Sequence, residues 1–158
     1  MRSLITAIIV AALLASSAVV VTAWSDETPL PSSGCEAPLA APGDYESTYA
    51  MGDMTGKYWT VVPETYADAG PVPLVLWLSS GRGDADQQYP GLRPYLDGID
   101  ELFVVVGKLS SGGGWDTDAL LGLIDRLEAD YCVDARRIHV MGGSRSAFPA
   151  SQLAWEAS

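Results

Sequence analysis

The apolar positions of this chain fall into three textures. From Leu4 to Val21 they form one long run without a charge, interrupted only by Thr6, Ser16 and Ser17. Further on they gather into short blocks. Leu74-Val75-Leu76-Trp77-Leu78 and Leu102-Phe103-Val104-Val105-Val106 are continuous apolar stretches, the pattern of strands covered on both faces. Lys57 to Val62 is rich in aromatic and β-branched residues and is closed by Pro63, which predicts another strand. Arg137 to Met141 predicts a fourth. The third texture is helical. Between Asp118 and Asp130, residues Leu120, Leu123, Ile124 and Leu127 recur at i, i+3, i+4 and i+7, one apolar stripe on a helix. Asp116 or Thr117 is placed to cap it, and Gly122 weakens it by about 1 kcal/mol relative to Ala. Ala147 to Glu156 is also helical in pattern. Strands alternating with helices predict an α/β domain with a mostly parallel sheet. There is no internal repeat.

The first run reads as an export signal. Met1-Arg2-Ser3 supplies one positive charge, Leu4 to Val21 the apolar core, and Val21-Thr22-Ala23 the small residues at a cleavage site. A retained membrane anchor is the alternative for a run of this length. Ser32-Ser33-Gly34-Cys35 resembles a lipoprotein site but lies well past the apolar run. The expected organisation is a signal peptide over 1–23, a loose mature N-terminus over 24–46, rich in Pro, Ser, Gly and acids, and a domain over 47–158. The expected location is extracellular or periplasmic, with no stable membrane anchor after cleavage.

Charge narrows the partners. The chain has 158 residues, enough for one domain, and a formal net charge of −11. Nucleic acid is not expected as a partner, because phosphate binding needs clustered Lys and Arg. Two cysteines, Cys35 and Cys132, are present. Outside the cytoplasm a bridge between them is expected. Free buried thiols, or pairing with other residues, remain the alternatives. Closing a loop of about a hundred residues would contribute about 4–5 kcal/mol in the chain-entropy description.

The sharpest chemical feature is Met141-Gly142-Gly143-Ser144-Arg145-Ser146, set between a predicted strand and a predicted helix. In a nucleophile elbow, a Ser stands on a tight strand-to-helix turn with Gly two residues before and after it. The small neighbours let strand and helix approach. The helix N-terminus offers N–H groups where an oxyanion develops. Here Gly142 is the first Gly, Ser144 the nucleophile candidate, and Ser146 stands where the last Gly would be. An ordinary junction with Ser144 as a helix cap fits the same pattern. No cofactor or metal is expected. Asp84 and Asp86, with Gly81 and Gly83, read as a solvated loop rather than a calcium site. Trp59, Trp77, Trp115 and Trp155 are too dispersed for a sugar platform and are expected mostly in the core. The Gly-rich stretch 79–83 lacks the Lys-Ser/Thr ending of a phosphate loop.

Four stretches carry a resemblance: Leu74 to Ala85, Phe103 to Lys108, Gly114-Trp115-Asp116, and Tyr131-Cys132-Val133-Asp134-Ala135-Arg136-Arg137-Ile138-His139-Val140. In order and spacing they resemble the secreted polyhydroxybutyrate depolymerase and feruloyl esterase family, over about residues 50–155. The resemblance implies part of an α/β-hydrolase fold, with its later strands missing from this chain. It implies hydrolysis of a polyester or an aromatic-acid ester through an acyl-serine intermediate. Ser144 matches the nucleophile, and the backbone N–H of Arg145 one oxyanion donor. The loop with Ser80 and Gly81 matches the source of the second. Ser79-Ser80 replaces the usual His-Gly of that loop, Arg145 and Ser146 replace the pair after the nucleophile, and Pro149 falls in the following helix.

The family's triad runs Ser, then Asp, then His along the chain. The one histidine here, His139, precedes Ser144. It is expected to be structural, pointing into a helix-covered face of its strand. Without a base, Ser144 is a weak nucleophile, so the chain as given is expected to be inactive alone. The alternative is a non-catalytic exported binding or assembly module on a partial hydrolase scaffold.

Overall fold

The computed structural model describes residues 28–37, 39–81, 84–109 and 115–156. The expected signal peptide and the glycine-rich loop at 110–114 lie outside the described residues. The strands are β1 (Gly43–Met51), β2 (Met54–Val62), β3 (Val72–Leu78), β4 (Leu102–Val106) and β5 (Val133–Gly142). The helices are α1 (Tyr66–Ala69), α2 (Ala85–Leu92), α3 (Thr117–Asp130) and α4 (Ala147–Glu156). One sheet has the order β1-β2-β4-β3-β5. β3 is parallel to β4 and to β5, whereas β1–β2 and β2–β4 are antiparallel. The sheet is therefore mixed. Its parallel part is the β4-β3-β5 unit, and the hairpin β1–β2 adds the antiparallel part.

That hairpin turns through Gly52-Asp53, with Met51 opposite Met54. Gly52 takes φ +57, the left-handed conformation that a two-residue hairpin loop demands. Alternation along β3 then sorts its side chains. Leu74, Leu76 and Leu78 are fully buried, as are Leu102, Val104 and Val106 of β4. They share one core with Leu120, Leu123 and Leu127 of α3 and with Leu153 of α4. The predicted stripe of α3 is thus the stripe it buries. Asp116 caps it by accepting from the Ala119 N–H at 3.0 Å, and Thr117 is its first residue.

The opposite face is covered by α2, which packs over β2 and β4. Trp59 of β2 stacks on Tyr89 of α2, with centroids 4.4 Å apart. Asp86 accepts from Trp59 Nε1 (2.8 Å) and Lys57 Nζ (2.9 Å). These bonds hold the Asp86 carboxyl below its ordinary pKa. Lys57, bonded to Glu46 and Asp86, is held above its own.

Part of the stretch expected to be a loose N-terminus is tied down. Ser33–Glu36 forms a 3-10 turn, and Cys35 is bonded to Cys132 across 97 positions. Ser32 N–H donates to Val133 O (2.9 Å), Ala135 N–H to Leu30 O (2.9 Å), and Leu30 N–H to Asp134 Oδ1 (2.8 Å). Pro31 bridges Asp134 in antiparallel sense. A Cβ on Gly34 would sit 2.3 Å from Tyr131 O, so only glycine allows this strap to lie so close. The composition of the segment marks it as unstructured, yet the disulfide and the start of β5 anchor it. The tryptophans also depart from expectation. Trp59, Trp77 and Trp115 are half-buried and Trp155 is 83% exposed on α4.

Candidate active site

β3, β4 and β5 run in parallel, so their C-terminal ends lie at one edge of the sheet. That is where open α/β sheets place their ligands. The register puts Leu78 of β3 opposite Gly142 of β5. The loop that starts at Ser79 and the turn that holds Ser144 therefore leave the sheet side by side.

At the end of β5 the chain turns sharply into α4. Ser144 has φ +56 and is the only non-glycine residue with positive φ among those described. L-residues rarely take this conformation, and such strain persists only where the surroundings impose it. A short 3-10 turn over Ser144–Ser146 leads into α4. Ser144 and Arg145 are both exposed. The N–H groups at the start of such a turn have no partner within it.

Gly142 explains how the turn closes. A Cβ there would lie 2.3 Å from Ser146 O and 3.2 Å from the Ala150 Cβ. Strand and helix thus touch backbone to backbone, and a side chain at 142 has no room. Gly143 is different, since a Cβ there would meet nothing within 4 Å.

Ser146, where the motif has its last Gly, is fully buried. Its Oγ accepts from the Gly143 N–H (3.1 Å). Its hydroxyl proton lies between two carbonyl oxygens, Leu78 O at 2.8 Å and Gly143 O at 2.9 Å. The hydroxyl therefore binds the elbow to the last residue of β3. Pro149 occupies the first turn of α4, where a missing N–H costs little.

The neighbouring loop begins with Ser79, fully buried. Its N–H donates to Val106 O at 2.9 Å and is not free for a substrate. Among the described residues of this loop, the backbone donors that remain are the N–H groups of Ser80 and Gly81. Gly81 has φ +66, so the loop bends where only glycine turns without strain. Gln88 of α2 donates through Nε2 to both Ser80 O (3.0 Å) and Ser80 Oγ (2.9 Å). Its Oε1 accepts from Trp77 Nε1 (3.1 Å). On the far side, Lys108 Nζ reaches Gly81 O at 3.5 Å.

The structure thus assembles Ser144, Arg145, Ser80 and Gly81 on adjacent chain segments. Cys35 and Cys132 stand apart, at the strap. His139 requires a correction. It lies on β5 opposite Val75, but it is exposed rather than covered by a helix. Within β5, Arg137, His139 and Met141 are exposed while Ile138 and Val140 are half-buried. The latter two pack towards the core beneath α3 and α4. The other face of β5 lies beyond the reach of α2, which covers β2 and β4. Alternation places the histidine on that uncovered face.

No family model matches the chain, and no curated protein matches it. Solved structures do share its fold. One is a thermophilic carboxylesterase cloned from a metagenomic library, with TM-score 0.55 and 18% identity over 76% of this chain and 43% of that one. A bacterial heroin esterase has TM-score 0.58 and 22% identity over 91% of this chain and 45% of its own. An esterase of Pyrobaculum calidifontis has TM-score 0.58 and 16% identity, covering 78% and 42%. The chain has the α/β-hydrolase fold over the part that it spans, less than half the length of each of these structures.

Proposed function

We propose that this chain carries the nucleophile half of an exported carboxylic-ester hydrolase, with Ser144 as the attacking residue. The observation that carries the reading is the backbone of Ser144, strained to positive φ on a turn that Gly142 alone lets close. An ordinary helix cap needs no such strain, because a capping residue sits in the extended region. The solved structures of similar fold are esterases by their own descriptions, which supports ester chemistry here. Ser144 Oγ would attack the ester carbonyl, and the alcohol would leave as the acyl-serine forms. Water would then release the acid. The Arg145 N–H and a donor from Ser80 or Gly81 would hold the oxyanion. The substrate class is a polyester such as a polyhydroxyalkanoate, or an aromatic-acid ester, from the resemblance of the stretch ending at Ser144. The Cys35–Cys132 bond supports export to an oxidising compartment.

A proton acceptor for Ser144 is required, and His139 precedes it on the exposed face of β5. We take the base to come from outside these residues. The test is labelling of the purified chain by a neutral p-nitrophenyl phosphonate, with and without added imidazole as a surrogate base. Labelling is expected at Ser144 alone, slow at first and accelerated by imidazole, and abolished by Ser144→Ala. Ester turnover by the chain itself is expected to be negligible. Label on other residues, or none after prolonged incubation with imidazole, would leave Ser144 as a structural turn residue and favour a binding module.

A further inference from the structure

We infer that Gln88 is a positioning residue for the oxyanion loop, and that it does for Ser80–Gly81 what Ser146 does for the elbow. The inference rests on the reading of Ser144 as nucleophile and extends it to a residue of α2, outside the motif. Its basis is a half-buried amide with both ends bonded. Nε2 donates to the carbonyl and to the hydroxyl of Ser80, at 3.0 and 2.9 Å. Oε1 accepts from the indole of Trp77, two positions before Ser79, at 3.1 Å. The amide orientation is fixed by this set, because the indole is only a donor and the Ser80 carbonyl only an acceptor. Flipping the amide would break both contacts.

The geometry matters for chemistry because of what surrounds it. The Ser79 N–H is spent on Val106 O, which ends the sheet ladder. Beyond it the loop leaves the sheet, and Gly81 adopts φ +66; as a glycine without a Cβ it offers little resistance to rotation. The peptide that joins Ser80 to Gly81 carries both the Ser80 carbonyl and the Gly81 N–H in one plane. Gripping the carbonyl therefore sets the direction of the Gly81 N–H on the opposite side of that plane. A donor aimed in advance at a developing oxyanion is worth far more than one that must reorient. The helix that holds Gln88 is itself fixed to the sheet by Trp59–Tyr89 stacking and by the Asp86 bonds to Trp59 and Lys57. The amide is thus carried on a braced element.

The test uses the full chain, as wild type, Gln88→Glu and Gln88→Ala. Gln88→Glu keeps an acceptor for Trp77 and the same shape but cannot donate to Ser80. It separates aiming from packing. Each protein is labelled at Ser144 by the neutral phosphonate in imidazole, and the 31P shift of the adduct is recorded as a reporter of hydrogen bonds to its phosphoryl oxygen, which takes the place of the oxyanion. Backbone 15N order parameters at Ser80 and Gly81 are measured without the probe. Both variants are expected to label about tenfold more slowly, a fraction of the 10²–10³-fold effect of deleting an oxyanion donor. They should also show a displaced 31P signal and lower order parameters at Gly81. A Gln88→Glu protein with wild-type labelling rate and 31P shift would overturn the inference, even if Gln88→Ala were destabilised. If Ser144 of the wild type never labels, the hydrolase reading fails by itself. The order parameters then decide whether Gln88 orders the loop, and unchanged values in Gln88→Glu would overturn that as well.

Discussion

Replacing Gly142 by Ala tests the elbow with a single methyl group. The added Cβ would lie 2.3 Å from the backbone oxygen of Ser146, 2.7 Å from its carbonyl carbon and 3.2 Å from the Ala150 Cβ. Carbon and oxygen ordinarily approach to about 3.4 Å, so strand and helix must separate by about 1 Å. The obstacle is backbone and cannot rotate away. Overpacking of this kind costs about 1–3 kcal/mol. The separation also pulls Ser146 Oγ from Leu78 O and the Gly143 N–H, and a buried group left unpaired adds about 1–3 kcal/mol. We expect Gly142→Ala to lose at least about 2 kcal/mol in urea unfolding of the purified chain. Gly143→Ala is the control. Its Cβ meets nothing within 4 Å and its φ is −117, so it should change stability by less than about 1 kcal/mol, and in the stabilising direction. Labelling of Ser144 in imidazole should follow the same split, with Gly142→Ala slow and Gly143→Ala near wild type. Equal midpoints for the two variants would refute the close approach on which the elbow rests.

Two further outcomes follow from the strap. Non-reducing peptide mapping should return one Cys35–Cys132 pair, and a Cys35→Ser, Cys132→Ser double variant should lose about 2–5 kcal/mol. Asp134, almost fully buried, is pulled two ways. Burial raises its pKa, but bonds from the Leu30 N–H, Arg137 and the Arg136 N–H lower it more, and the net shift is downward. A depressed carboxylate stabilises the fold above its unfolded pKa of about 3.9 and loses that contribution as pH falls through the folded value. Asp134→Asn should therefore reduce stability at pH 7 by about 1–3 kcal/mol and flatten the acid limb of a pH–stability curve below about pH 4; an unchanged acid limb would argue that the strap contacts do not discriminate the charged form.

The parts of this fold that were legible in the sequence share a cause. Leu74, Leu76 and Leu78, Leu102, Val104 and Val106, and the stripe Leu120, Leu123, Ile124, Leu127 all face one continuous core, so burial and periodicity coincide. Strand β1 was not legible. Gly43–Met51 carries Asp44, Glu46, Ser47 and Thr48 among its tyrosines, and it pairs at the sheet's edge, where one side of a strand stays wet. Helix α2 was missed for a related reason. Its sequence Ala-Asp-Gln-Gln-Tyr-Pro-Gly-Leu has no apolar stripe, because polar bonds and one ring stack hold it to the sheet. His139 is exposed because helices do not cover both faces of every strand: side chains alternate along β5, and α2 packs on β2 and β4 instead.

The same contrast explains why the departure at Ser146 was hard to weigh from the motif. A glycine at that position is needed only if a side chain would collide, and here the collision lies elsewhere, at Gly142 against the Ser146 backbone. With the crowding borne by Gly142, position 146 has room for a small side chain. A hydroxyl there gains an acceptor role for Gly143 and a donor role towards Leu78. An Ala would occupy the space but leave the Leu78 carbonyl and the Gly143 N–H without that partner. A Gly would leave them unpaired and add backbone freedom next to the strained Ser144. The substitution of Ser for Gly therefore moves the fastening of the elbow from close packing to a buried hydrogen bond. The loop at Ser79–Gly81 follows the same logic, since Ser80 is held by the Gln88 amide rather than by contact of small residues. Both segments flanking Ser144 are thus anchored to the end of β3 through polar side chains, Ser146 to Leu78 and Gln88 to Trp77. That strand end fixes the spacing between Ser144 and the backbone of Ser80 and Gly81, the candidate nucleophile and its candidate donors.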